Sequence, residues 1–140
     1  MIAAVDSSVL LDILKEAPRA KNAAMALETL VRQGSVCVCA PVIAEVGRYF
    51  SSNEQMLNFL SDAQIDYSEI SLVASLEAAR MMRNYTKNTG SKTRVAADFL
   101  IGAHALKQAD CLLTTDKGFF RGYFKGLKIV NPGLLIQHNR

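Results

Sequence analysis

"IAAVDSSVLLDILK", residues 2–15, is the stretch on which the fold turns. Ile2 to Val5 is a short uncharged apolar run, the pattern of a strand buried on both faces. Asp6-Ser7-Ser8 then opens the helical segment "SSVLLDILK", with Asp6 or Ser7 placed to cap it. A buried strand that passes straight into a helix is the start of an α/β unit, and this one leaves a carboxylate at the strand's end.

The same alternation continues along the chain. Pro18 to Gln33 reads as a helix with Ala23, Leu27, Leu30 and Val31 on one face and Gly34 as its stop. "SVCVCA" (35–40) is β-like, and Pro41 stands at the first helical position of "PVIAEVGRYF". Ser52 and Gln55 have capping-box spacing ahead of a helix that uses Met56, Leu57, Phe59 and Leu60. "IDYSEI" (65–70) alternates as a third strand. Ser71 caps a long helix carrying Leu72, Leu76, Ala79 and Met82, which is expected to end near Gly90. "RVAADFLIGAHALKQ" (94–108) is helical, "CLLTT" (111–115) is a strand, and "KGFFRGYF" (117–124) is a turn with a short helix. "LKIV" (127–130) supplies the last strand before Asn131-Pro132-Gly133. With no repeat, low-complexity tract or linker, residues 1–140 read as a single α/β domain with a mostly parallel central sheet.

Composition narrows the function classes. A chain of 140 residues, 50% hydrophobic and 21% charged, can bury a core without disulfides or metal staples. Its apolar stretches fall well short of the ~20 residues that cross a bilayer, and no basic region precedes the first apolar run, so no membrane or secretion signal is expected. Cys37 and Cys39 alternate to opposite faces of one strand and Cys111 starts another, so three thiols do not form a disulfide framework. They fit a reducing cytoplasm. The net charge of +3 is too mild to demand nucleic acid as a partner. Its distribution is uneven: Arg80, Arg83, Lys87, Lys92 and Arg94 form one basic group, and Lys117, Arg121, Lys125 and Lys128 another. These are either solvated faces or the border of an anion-binding surface.

In parallel α/β sheets, ligands sit outside the carboxyl ends of the strands. Asp6 ends the first strand there. Glu45 lies just over one turn into the helix after the second, and Asp116 follows "LLTT" of the fourth. Asp98 begins the helix that leads into that fourth strand, so it starts at the same edge. Each acid has a structural explanation alone: Asp6 as an N-cap, Glu45 on a solvated helix face, Asp98 at a helix N-terminus, Asp116 in a turn. Together, four carboxylates on one apolar-walled rim repel, and a hard divalent cation resolves the repulsion. Oxygen ligands of this kind suit Mg²⁺ or Mn²⁺.

Nearby residues extend the pattern. Arg94, four before Asp98, either pairs with it or touches a phosphate, and Ser7 and Thr115 flank two of the acids as hydrogen-bond donors. Gly102, four after Asp98, either leaves room for an ion or packs closely against a neighbour. His104 is expected to be a satisfied core or surface histidine, and His138 lies in the tail. No Ser–His–Asp, Cys–His, zinc-ligand or glycine-rich phosphate-loop spacing is present.

In these segments the chain resembles the PIN-domain ribonucleases, and among them the VapC-type toxins of toxin–antitoxin pairs. The carriers are "AVDSSVLLDIL", "APVIAEVGRYF", "RVAADFLIGAHAL" and "LLTTDKGFF", closed by "LKIVNP", and they cover nearly the whole chain. The resemblance implies a PIN-like three-layer α/β/α sandwich with the family's acidic quartet at Asp6, Glu45, Asp98 and Asp116. It further implies a Mg²⁺- or Mn²⁺-dependent endoribonuclease, dimeric, and held by a VapB-like antitoxin. On that basis Asp6, Asp98 and Asp116 hold the ion. Glu45 positions or deprotonates the attacking water, or completes the metal shell. Ser7, Arg94, Thr115 and Lys117 contact the RNA. Gly118 stands where many relatives carry a further acid, so one well-held ion is expected rather than two. The alternative within the fold is an RNA- or protein-binding module with little or no nuclease activity. Haloacid-dehalogenase-type phosphatases need an Asp-x-Asp pair, whereas Asp6 is followed by Ser7 and Ser8. Response-regulator receivers need an acidic pair and a late lysine in an arrangement that Lys128 does not meet.

Overall fold

The computed structural model describes residues 1–89 and 94–134. In chain order the elements are β1 (Ile2–Val5), α1 (Ser7–Leu14), α2 (Ala20–Gln33), β2 (Ser35–Val38), α3 (Ala40–Gly47), α4 (Asn53–Asp62), β3 (Ile65–Tyr67), α5 (Leu72–Thr89), α6 (Ala96–Gln108), β4 (Cys111–Leu113), α7 (Lys117–Tyr123) and β5 (Ile129–Val130). The expected helix stop at Gly90, Lys92 of the first basic group, and His138 lie outside the described residues.

The five strands form one sheet in the order β3-β2-β1-β4-β5, and every pairing is parallel. β1 lies at the centre because Ala3, Ala4 and Val5 are almost wholly buried: small and β-branched side chains let helices close over both faces. Strand order reverses between β1 and β4, which makes their carboxyl ends the natural crevice of the sheet. Val5 pairs with Leu113, and the ladder runs one step further, with the Asp6 N–H donating to the Leu113 carbonyl at 3.0 Å. Thr114 N–H likewise donates to Val130 at 3.0 Å. Asp6 is thereby fixed beside Thr114, two residues before Asp116.

The capping box forms as the sequence requires: Ser52 Oγ accepts from Gln55 N–H at 3.2 Å, and Gln55 Oε1 accepts from Ser51 N–H at 3.1 Å. Two apolar faces differ from expectation. On α4, Met56 and Leu60 enter the core while Leu57 points to solvent. On α5, the buried stripe is Ala74, Ala78, Met81 and Tyr85, and Leu72, Leu76 and Met82 are exposed. Both stripes have helical spacing. The small pair Ala74 and Ala78 lets α5 approach α6 more closely than a leucine face would.

An aromatic cluster ties α5, α6 and α7 together. Phe119 meets Phe99 edge-on at 5.2 Å, and Tyr85 meets Phe99 at 5.5 Å and Phe119 at 6.5 Å. Gly102 belongs to this packing: a Cβ there would lie 2.5 Å from the Phe124 ring, so the glycine admits an aromatic side chain and not an ion. His104 is buried and bonded to Ser68 Oγ at 2.9 Å, a satisfied core histidine. The three cysteines are free and buried. Burial pushes the Cys37 thiol up to about 11 and the Cys39 thiol up to about 12, which keeps both protonated and unreactive at neutral pH.

Candidate active site

Asp6 occupies the N-cap position of α1, yet it makes no side-chain capping bond. Its carboxylate instead turns along the sheet edge. Oδ2 accepts from Thr114 Oγ1 at 2.6 Å and from Ser8 Oγ at 3.0 Å. The residue is only 7% exposed, and burial raises its pKa above the ordinary carboxylate value, with the Glu45 charge adding to the rise. The two hydroxyl bonds and the Ser7 backbone N–H oppose that rise, since they favour the charged form.

Thr114 joins two of the acids. Its hydroxyl donates to Asp6 and accepts from the Asp116 N–H at 3.0 Å, so one fully buried side chain sets the spacing between them. Ser8 repeats the device from α1: it donates to Asp6 and accepts from the Thr115 N–H at 3.2 Å. Ser7 Oγ donates to Glu45 Oε1 at 2.7 Å, which fastens α3 to the start of α1. Neither Ser8 nor Thr114 stood out in the sequence. The signal was present for Thr114, because a threonine two residues before an aspartate can close a local side-chain turn on its N–H.

Asp98 lies in the first turn of α6 and is half-buried. Burial raises its pKa, Arg94 lowers it, and Glu45 and Asp116 raise it again. Asp98 therefore senses two of the other acids, and Asp6 senses Glu45. The four predicted acids do share one rim. Of the predicted contacts, Ser7 and Thr115 are engaged within it, Thr115 through its backbone. Lys117 opens α7, and its side chain lies outside the described part. Gly118 is exposed on α7 with open space around it.

Arg94 reaches the rim as expected but is held by carboxylates. Nη1 donates to Asp116 Oδ2 at 2.7 Å and lies 3.9 Å from Asp98 Oδ2. The guanidinium carbon sits 4.3 Å from the centroid of the Phe119 ring, in cation–π contact. Among the described residues, no three acidic, histidine or cysteine side chains are drawn together closely enough to share one ion. The donors are nonetheless the oxygen set that a hard divalent cation prefers, and one of them, the buried Asp6, has hydroxyl donors but no ion pair among the described residues.

The PIN domain family model matches residues 3–125. A search of curated proteins finds no match. Solved structures of similar fold include VapBC2 from Rickettsia felis bound to a promoter DNA fragment. It has 21% identity and a TM-score of 0.72, covering 94% of this chain and 98% of that one. VapBC-1 from nontypeable Haemophilus influenzae has 20% identity and a TM-score of 0.70, covering 95% and 99%. FitAcB from Neisseria gonorrhoeae has 21% identity and a TM-score of 0.63, covering 95% and 99%.

Proposed function

The chain belongs to the PIN-domain family, and from that premise we propose that it is a metal-dependent endoribonuclease, the toxin of a VapBC-type toxin–antitoxin pair. The observation that carries the reading is the meeting of Asp6, Glu45, Asp98 and Asp116 at the β1/β4 crevice, where burial and mutual repulsion raise the pKa of Asp6 and Asp98. Acids that exist only to cap helices or close turns have no reason to stand within one another's field.

Asp6, Asp98 and Asp116 are the residues that would hold Mg²⁺ or Mn²⁺. When bound, such an ion supplies an acidified water and neutralises charge on the scissile phosphate. The chain's own residues do the positioning. Thr114 and Ser8 favour the charged form of Asp6 and aim it along the edge. Ser7 orients Glu45, which positions or deprotonates the attacking water or completes the metal shell. Arg94 and Lys117 orient the RNA backbone, a contribution that weakens with salt. Structures of similar fold are VapBC and FitAB complexes. That likeness supports a VapB-like antitoxin as the protein partner, and a homodimer is expected with it. The described residues include no helix long and apolar enough to cross a membrane. The proposed setting is the cytoplasm.

Purified protein incubated with RNA and Mg²⁺ or Mn²⁺ tests the reading against the Asp116→Asn variant. Wild type should cut and the variant should lose nearly all cleavage. No cutting by wild type, or equal cutting by both, would refute the nuclease assignment and leave the binding-module alternative.

A further inference from the structure

The site that the proposed function needs for a metal ion already holds a cation of the chain itself. Arg94 donates to Asp116 Oδ2 at 2.7 Å, lies 3.9 Å from Asp98 Oδ2 and rests on the Phe119 ring at 4.3 Å. Three independent contacts therefore fix one guanidinium between two of the carboxylates assigned to the ion. Phe119 is a firm floor, packed against Tyr85, Phe99, Phe120 and Tyr123. A planar guanidinium suits this place, since it can bond a carboxylate edge-on while stacking on an aromatic face.

We infer that Arg94 is a resident counter-cation that a divalent ion must displace from Asp98 and Asp116, so that this side chain sets the affinity of the site for metal. The inference rests on the metal-site reading above and deepens it. Two observations lead from the geometry to displacement. Asp116, a metal ligand in that reading, accepts the short Arg94 bond on its Oδ2. No three candidate ligands among the described residues close on a common point while Arg94 lies between them. An ion that draws Asp98 and Asp116 together repels the guanidinium and takes its acceptor. Arg94 then remains tethered four residues before Asp98, on the same rim, with its donors free for an anionic oxygen of RNA. Metal entry and phosphate binding are coupled by this exchange. Without metal, the acids are partly neutralised and the basic group is engaged.

Mn²⁺ alone is the probe, titrated into the full chain and followed by the electron paramagnetic resonance signal of the free ion. The pair is partly exposed, which limits its strength, so Arg94→Gln should bind Mn²⁺ about three- to tenfold more tightly than wild type. Arg94→Lys keeps the charge but loses the planar fork and should fall between the two. Arg121→Gln removes an equal charge from the exposed side of α7 and should change affinity less than about twofold, since exposed charges are screened by solvent and salt. Equal or weaker Mn²⁺ binding by Arg94→Gln would overturn the exchange while leaving the metal site standing. So would equal tightening by Arg121→Gln, which would mark a net-charge effect. Failure of both wild type and Arg94→Gln to bind Mn²⁺ would sink the metal-site reading and the exchange with it.

Discussion

Thr114→Val removes one oxygen from the centre of the site and keeps the volume and β-branching that strand end requires. Thr114 is fully buried, so water cannot replace the lost hydroxyl. Two bonds go with it, the 2.6 Å donation to Asp6 Oδ2 and the 3.0 Å acceptance from the Asp116 N–H. A hydrogen bond to a buried charge contributes about 1.5–3 kcal/mol and a neutral one about 1 kcal/mol. Asp6 keeps Ser8 as a donor, and Asp116 is partly exposed, so the two losses do not add in full. We expect a net destabilisation of about 2–3 kcal/mol. With a urea slope near 2 kcal/mol/M, the unfolding midpoint should fall by about 1–1.5 M. Circular dichroism in urea measures this directly. Mn²⁺ affinity should weaken about tenfold in parallel, because Asp6 loses the group that aims it, and loss of an orienting partner of a metal ligand has effects of this size. Thr114→Ser restores the oxygen and should recover most of both. A valine variant with an unchanged midpoint and unchanged Mn²⁺ binding would show that Thr114 does not hold the two acids.

Other predictions probe separate links. Ser7→Ala frees Glu45 without touching Asp6, Asp98 or Asp116, so RNA cleavage should fall about tenfold while Mn²⁺ affinity stays within twofold; a large loss of Mn²⁺ binding would place Glu45 in the metal shell instead. Gly102→Ala gains about 1 kcal/mol of helix propensity but drives a methyl into the Phe124 ring at a cost of about 1–3 kcal/mol. A lowered melting temperature is the expected net result, and a raised one would show that the ring yields freely. His104 is buried, and burial lowers its pKa below the ordinary histidine value. The unfolded chain therefore binds a proton that the folded chain refuses. His104 thus subtracts stability progressively as pH falls below about 6.5, at most about 1.4 kcal/mol per pH unit. His104→Gln should remove that slope when urea midpoints at pH 7.5 and 5.5 are compared with wild type; identical slopes would contradict it.

The sheet and the acidic rim were legible because they rest on local signals. Apolar runs that stop at a carboxylate mark the ends of the first and fourth strands, and the rule that ligands gather at carboxyl edges brings Glu45 and Asp98, on helices that begin at that edge, to the same place. What escaped the sequence is decided by packing between elements. Leu72, Leu76 and Met82 make a proper helical stripe, but so do Ala74, Ala78, Met81 and Tyr85. Only the close approach of α6 selects the second. Gly102 could have faced an ion or a ring, and the placement of Phe124 after α7 chose the ring. Thr115 is the nearer neighbour of Asp116 in sequence, yet Thr114, one residue past β4 and held by its N–H bond to Val130, is the one buried beside Asp6. Arg94 illustrates a further limit. Its spacing from Asp98 was visible, but its shorter contact is with Asp116, across the fold.

Crystals of the full chain soaked in Mn²⁺ and measured at the manganese absorption edge give the most direct test of the central claim. An anomalous peak is expected at the β1/β4 crevice, ligated by oxygens of Asp6, Asp98 and Asp116. A manganese ion bound away from Asp6 and Asp98 would contradict the convergence of these acids on a metal.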